Sequence, residues 1–102
     1  AGVPIGVGTD IPFENDTRYP DAYFRELDYL SEAGMSNAAV LASATRVGAE
    51  ILGMGDKLGT IEKGKIADLL IVGANPLESL KNLRDVRYVV ADGKLVVEGP
   101  AR

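Results

Sequence analysis

The spacing of apolar and polar positions changes character along the chain. At the start, "GVPIGVGTD" alternates with period two: Val3, Ile5 and Val7 fall on one side and glycines on the other. This predicts a short buried strand over residues 4–8, with room on the glycine side for a close backbone approach or a crowded interior. The strand stops at Asp10. "TDIPFENDTRYP" is polar and holds two prolines, so residues 9–20 read as a loop. The period then becomes helical. Tyr23, Leu27 and Leu30 recur at i, i+4 and i+7, and Phe24 widens the stripe. A helix over 22–33 follows, capped by Asp21 and ended by Gly34 as a left-handed residue.

Ser36 is placed to cap a second helix, "NAAVLASA", and Thr45 a third, "RVGAEILG", closing at Gly53. Helices this apolar expect cover on more than one face. Beyond Gly55 the pattern turns to strands. Gly59 and Lys63-Gly64 are turn signals, and the continuous apolar run 67–72 predicts a buried strand ended by Asn75-Pro76. Residues 77–83 read as a short helical turn or loop. The end is a hairpin: 86–91, an Asp92-Gly93 turn, then 94–98.

This order of elements gives half of an α/β unit followed by about three strands. A lone parallel-type strand followed by helices has no partner strand within the chain. Three strands are thin as a core of their own. The local signals agree with one another, yet the elements do not close into a self-sufficient fold, as expected of a piece of something longer.

Composition narrows the chemistry. The 102 residues suffice for one small domain, and 46% apolar with 25% charged residues is ordinary for a globular chain. A net charge of −4 argues against nucleic acid or an anionic membrane surface as partner. No apolar run approaches the ~20 residues of a membrane span, and no signal segment is visible, so a cytoplasmic location is the expectation. There is no cysteine and no histidine. Disulfides and thiolate metal sites are excluded, and the commonest general base and metal ligand is missing.

Among the polar residues, Asp10 stands out because a short apolar strand delivers it. Taken by itself it reads first as a turn residue capping the loop after that strand. Glu14, Asn15, Asp16 and Arg18 read either as a solvated loop or as a loop facing substrate, with Arg18 the candidate to grip a substrate carboxylate through its guanidinium. Glu26 and Asp28 read as solvent charges on the polar side of a helix. Asp68 reads as structural, bonding backbone amides. The tyrosines form no stacking pattern for nucleic acid, and the glycines form no phosphate loop.

Four stretches in order carry a resemblance: "AGVPIGVGTD", "ELDYLSEAGMSNAAVLASATRVGAEILG", "DKLGTIEKGKIADLLIVGANPLESL" and "VRYVVADGKLV". Together they span nearly the whole chain. It resembles the C-terminal end of a metal-dependent amidohydrolase of the imidazolonepropionase and prolidase-like branch. The resemblance implies an α/β fold, incomplete here. Residues 1–55 would be the last strand and helices of a (β/α)₈ barrel, and residues 56–102 the C-terminal strands of a small β-sandwich domain. It implies hydrolysis of an amide, cyclic amide or dipeptide C–N bond of a small-molecule substrate. The cofactor implied is a divalent metal of the Zn²⁺ type, with Asp10 as a metal-site residue that holds and deprotonates the metal-bound water. The family's other ligands, histidines above all, are absent from these residues. One carboxylate does not hold a catalytic Zn²⁺, which takes about three protein ligands, so the isolated chain is expected to bind no metal and to be inactive. The partners expected are the missing N-terminal part of the same protein and, for the isolated chain, further copies in a dimer or larger assembly. The alternative is a free-standing, non-catalytic assembly or binding domain derived from an amidohydrolase.

Overall fold

The computed structural model describes residues 2–10 and 20–99. Within them the chain forms three helices and a three-stranded antiparallel sheet. Helix α1 is Asp21–Glu32, α2 is Asn37–Ala44 and α3 is Arg46–Ile51. Strand β1 is Leu69–Val72, β2 is Val86–Ala91 and β3 is Lys94–Glu98, in the order β1-β2-β3. A 3₁₀ turn, Leu80–Arg84, lies between β1 and β2.

The amphipathic stripe of α1 does what its spacing predicts. Leu27 is 1% exposed and meets Val40 of α2, at 0%, and Leu80 of the 3₁₀ turn. Tyr23, Phe24, Leu30 and Met35 pack around this cluster. The start of α1 differs from expectation. Its N-cap is Pro20, which makes no side-chain cap bond. Asp21 is instead in the first helical turn, where its carboxylate accepts from Arg84 at 3.0 Å. The anion beside the helix N-terminus and the cation from the 3₁₀ turn thus share one contact. Arg84 also lies 4.2 Å from the centroid of the Phe24 ring. At the other end, Gly34 has φ +105 and donates to Ser31 O, while Met35 donates to Leu30 O. These bonds make a Schellman ending that only a residue without a Cβ enters freely, and it brings apolar Met35 back onto Leu30.

Ser36 caps α2 as expected, its Oγ accepting from Ala39 N at 3.2 Å. Thr45 does not cap α3. Its hydroxyl turns back and donates to Leu41 O at 2.7 Å, one turn earlier. Threonine makes this bond readily inside or at the end of a helix, and here it competes with capping. Between α3 and β1, Lys65 organises the connection: Nζ reaches Gly55 O at 2.7 Å, Thr60 Oγ1 at 2.6 Å and Glu62 Oε2 at 2.8 Å. The hydrogen bond from Lys65, then that from Thr60, holds the Glu62 carboxyl below its ordinary range. Gly59 lies against α3, where a Cβ would come within 2.6 Å of Ala49 Cβ and 3.0 Å of Thr45 O. The close approach and a φ of +92 both require glycine there.

The hairpin has the predicted bounds. Asp92 and Gly93 have φ +50 and +75, the two positive values of a type I′ turn. Asp68 Oδ1 accepts from Asp92 N at 2.8 Å, and Gly93 donates to Ala67 O at 3.0 Å, so the entry to β1 is tied to the turn. Asp68 is structural, as its position suggested. Two other expectations are corrected. The apolar run 67–72 is not buried throughout: β1 covers only 69–72, and Leu70 and Ile71 are exposed. Residues 4–8 form no strand, and Val3 and Ile5 are exposed. The cause is the same in both places. A period-two or continuous apolar pattern states what a segment can bury; among the described residues no strand pairs with 4–8, of whose apolar face Val7 reaches the core, and Leu70 and Ile71 of β1 stay exposed.

Candidate functional site

Asp10 closes the segment 2–10, which has no regular secondary structure. Its side chain is exposed and its φ is +45. Among the described residues only Asp10 and Asp92 combine a side chain with positive φ. Asp92 does so inside the hairpin turn, whereas Asp10 stands at the end of segment 2–10. Aspartate tolerates this region better than most residues, and such backbones recur at functional sites.

The segment before Asp10 is held by helices rather than by strands. Ser43, in the last turn of α2 and 1% exposed, makes two bonds to it. Its hydroxyl donates to Ile5 O at 2.5 Å and its carbonyl accepts from Val7 N at 3.4 Å. The last carbonyls of a helix have no partner inside it, which frees Ser43 O for Val7. Gly8 N donates to Glu26 Oε1 of α1 at 3.5 Å. Glu26 was expected to be a solvent charge; it is half-buried and turned toward this segment. Val7 joins the apolar residues around Leu27 and Val40.

Beside this segment a cleft of about 710 Å³ runs between the helices and β1. Leu41, Ala49, Leu58, Ile66, Leu69 and Ile71 are among the residues that line it, with Val7 and Ser43 on the side of segment 2–10. Tyr23 also borders it, and burial pushes its hydroxyl above the ordinary 10.0.

Among the described residues no group of three or more His, Cys, Asp or Glu side chains is arranged to hold a metal ion. The Asp10 carboxylate is an oxygen donor of the kind divalent cations accept, but a single one. Glu14, Asn15, Asp16 and Arg18 lie outside the described residues. Among the described residues no helix is long and apolar enough to cross a membrane.

The sequence profile of the Amidohydrolase family matches residues 1–96. The chain belongs to the amidohydrolase family, whose members are generally metal-dependent. It is 30% identical to a 5-methylthioadenosine/S-adenosylhomocysteine deaminase of Desulforudis audaxviator, over 97% of this chain and 27% of that protein. Among solved structures, an amidohydrolase superposes with a TM-score of 0.82 at 41% identity, covering 96% of this chain and 24% of the other. A Xaa-Pro dipeptidase with methionine bound in its active site superposes with a TM-score of 0.71 at 42% identity, over 78% of this chain and 19% of the other. The chain thus spans about a quarter of the length of the curated relatives it matches.

Proposed function

We propose that this chain is the C-terminal part of a metal-dependent hydrolase acting on a C–N bond, with Asp10 as a catalytic carboxylate. The bond cleaved is an amide, a cyclic amide or a dipeptide link in a small molecule. In this reading residues 1–55 complete a (β/α)₈ barrel and residues 56–102 contribute to a small β-sandwich. The observation that carries it is Asp10 itself: an exposed acid with φ +45 at the end of an apolar segment anchored on two helices. Barrel enzymes carry their catalytic groups at the C-terminal ends of their strands, the position this segment would take in the longer protein. The similarity to a dipeptidase and to a deaminase, both of which cleave C–N bonds, supports the reaction class.

A Zn²⁺-type ion, when bound, polarises the group under attack and favours ionisation of water. The Asp10 carboxylate contributes one oxygen donor to that site, and the remaining donors come from the rest of the longer protein. Asp10 also accepts the proton lost by the attacking water and returns it to the departing nitrogen, so that the leaving group departs neutral. The uncovered faces of β1 and the cleft beside α3 are filled by that same remainder.

The test is made on the polypeptide encoded by the full reading frame. Its metal content is measured by mass spectrometry, and turnover is followed on Xaa-Pro dipeptides, N-acyl amides, cyclic amides and aminopurine nucleosides. The Asp10→Asn variant keeps the side chain's size and removes its basicity. Loss of kcat by about 10²–10⁴-fold is expected; unchanged turnover would refute the role.

A further inference from the structure

We infer that Ser43 is a positioning residue for Asp10, an inference that rests on the functional reading above. A barrel strand is ordinarily held by its neighbours through a ladder of backbone bonds. Here two backbone groups of the segment leading to Asp10 are bonded by one helical residue, one through its side chain and one through its backbone. Ile5 C=O and Val7 N–H lie two residues apart, and both face Ser43. Ser43 answers both, with its hydroxyl to the first and its carbonyl to the second. The residue does this only because it stands in the last turn of α2, where the carbonyl is free of helical duty.

The rest of α2 shows that the serine is not there for the helix. The sequence around it is "NAAVLASA", in which alanine serves helix formation better at every interior position. Ser43 is 1% exposed, and burying a hydroxyl there is tolerable only because Ile5 O accepts from it. It is the one buried polar residue among those described. Between Val7 and Asp10 lie two residues, Gly8 and Thr9, and Gly8 N donates to Glu26. The clamp therefore lies close enough to set the direction in which the chain leaves toward Asp10. A misplacement of about 1 Å at a reacting group costs on the order of a hundredfold in rate.

The test separates the clamp from the reaction. Ser43→Ala removes the hydroxyl and suits the helix, so folding is preserved. Ser43→Thr keeps the hydroxyl and adds a methyl at a residue that borders the cleft. In the full-length enzyme, hydrogen exchange at the Val7 and Gly8 amides is expected to speed up about tenfold in Ser43→Ala, and at Val40 within α2 to stay unchanged. In the full-length enzyme, Ser43→Ala is expected to lower kcat at least about tenfold with KM within about twofold, and Ser43→Thr to restore most of it. Unchanged exchange at Val7 and Gly8 would overturn the clamp whatever the enzyme does. Faster exchange with unchanged kcat, while Asp10→Asn is inactive, would overturn the positioning role and leave the functional reading standing. An active Asp10→Asn would remove the functional reading, and the positioning role with it.

Discussion

The helical layer and the sheet are built by different means. In the helical layer the contacts that matter join residues far apart in sequence: Leu27 with Val40 and Leu80, Asp21 with Arg84, Ser43 with Ile5 and Val7. In the sheet the β2–β3 hairpin is local, and β1 joins it from a distance, Leu69 opposite Val90. The Asp92-Gly93 turn sets the hairpin, and Arg87 grips Asp85 with two bonds of 3.0 Å across a single intervening residue. Those bonds raise the guanidinium pKa above its ordinary value. Burial separates the two regions further. Leu27 and Val40 are closed off, whereas every residue of β3 is exposed, including Leu95, Val96 and Val97. One region is held by packing and the other chiefly by backbone pairing, with the apolar side chains of β3 left exposed. A strand with three consecutive exposed apolar side chains is a surface awaiting cover.

The largest test of this contrast is a pair of identical truncations. Leu27→Ala should destabilise the chain by about 2–5 kcal/mol in denaturant unfolding, since it empties a closed core. Leu95→Ala, at a residue 57% exposed, should stay within about 0.5 kcal/mol. Comparable losses at both sites would mean that β3 is covered in solution, and a dependence on protein concentration would identify further copies as the cover.

A smaller effect separates two hydroxyls that look alike in sequence. Ser36→Ala removes a cap and is expected to cost about 1 kcal/mol. Thr45→Ala removes only a back-bond to Leu41 O and should be close to neutral. An equal cost at Thr45 would return it to a capping role.

The smallest effect is a pH dependence confined to the helical layer. Burial raises the Tyr23 hydroxyl above 10.0, so the folded chain holds that proton more tightly than the unfolded one. The stability this contributes is fully present below pH 10 and is lost as pH rises through the folded value. Thermal unfolding should therefore fall more steeply above pH 10 in the wild type than in Tyr23→Phe. Equal slopes would show that Tyr23 does not sense burial.

Much of the secondary structure was legible because its causes are local. The hairpin needs two residues that accept positive φ, and Asp92-Gly93 announces them. Gly34 ended α1 and Ser36 began α2 for similarly short-range reasons. Asp10 was legible as an acid delivered by an apolar segment. The arrangement around it was not. Ser43 lies in an alanine-rich helix where a small polar residue carries no evident signal, and its partners are 38 and 36 residues away. Glu26 had the spacing of a solvent-facing residue, and only the path of residues 2–10 across α1 gave it a partner.

The sequence by itself determined where the helices and hairpin lie, which residue ends each turn, and which single acid a short apolar segment carries forward. These follow from φ preferences, caps and periodicity, all of which act over a few residues. Tertiary structure alone decided that Leu80 joins the helical core, that Asp21 bonds Arg84 instead of capping its helix, and that a helix rather than a strand holds the chain leading to Asp10. Those outcomes depend on which groups meet across the fold once apolar surface is buried, and a pattern read along the chain holds no distances between them.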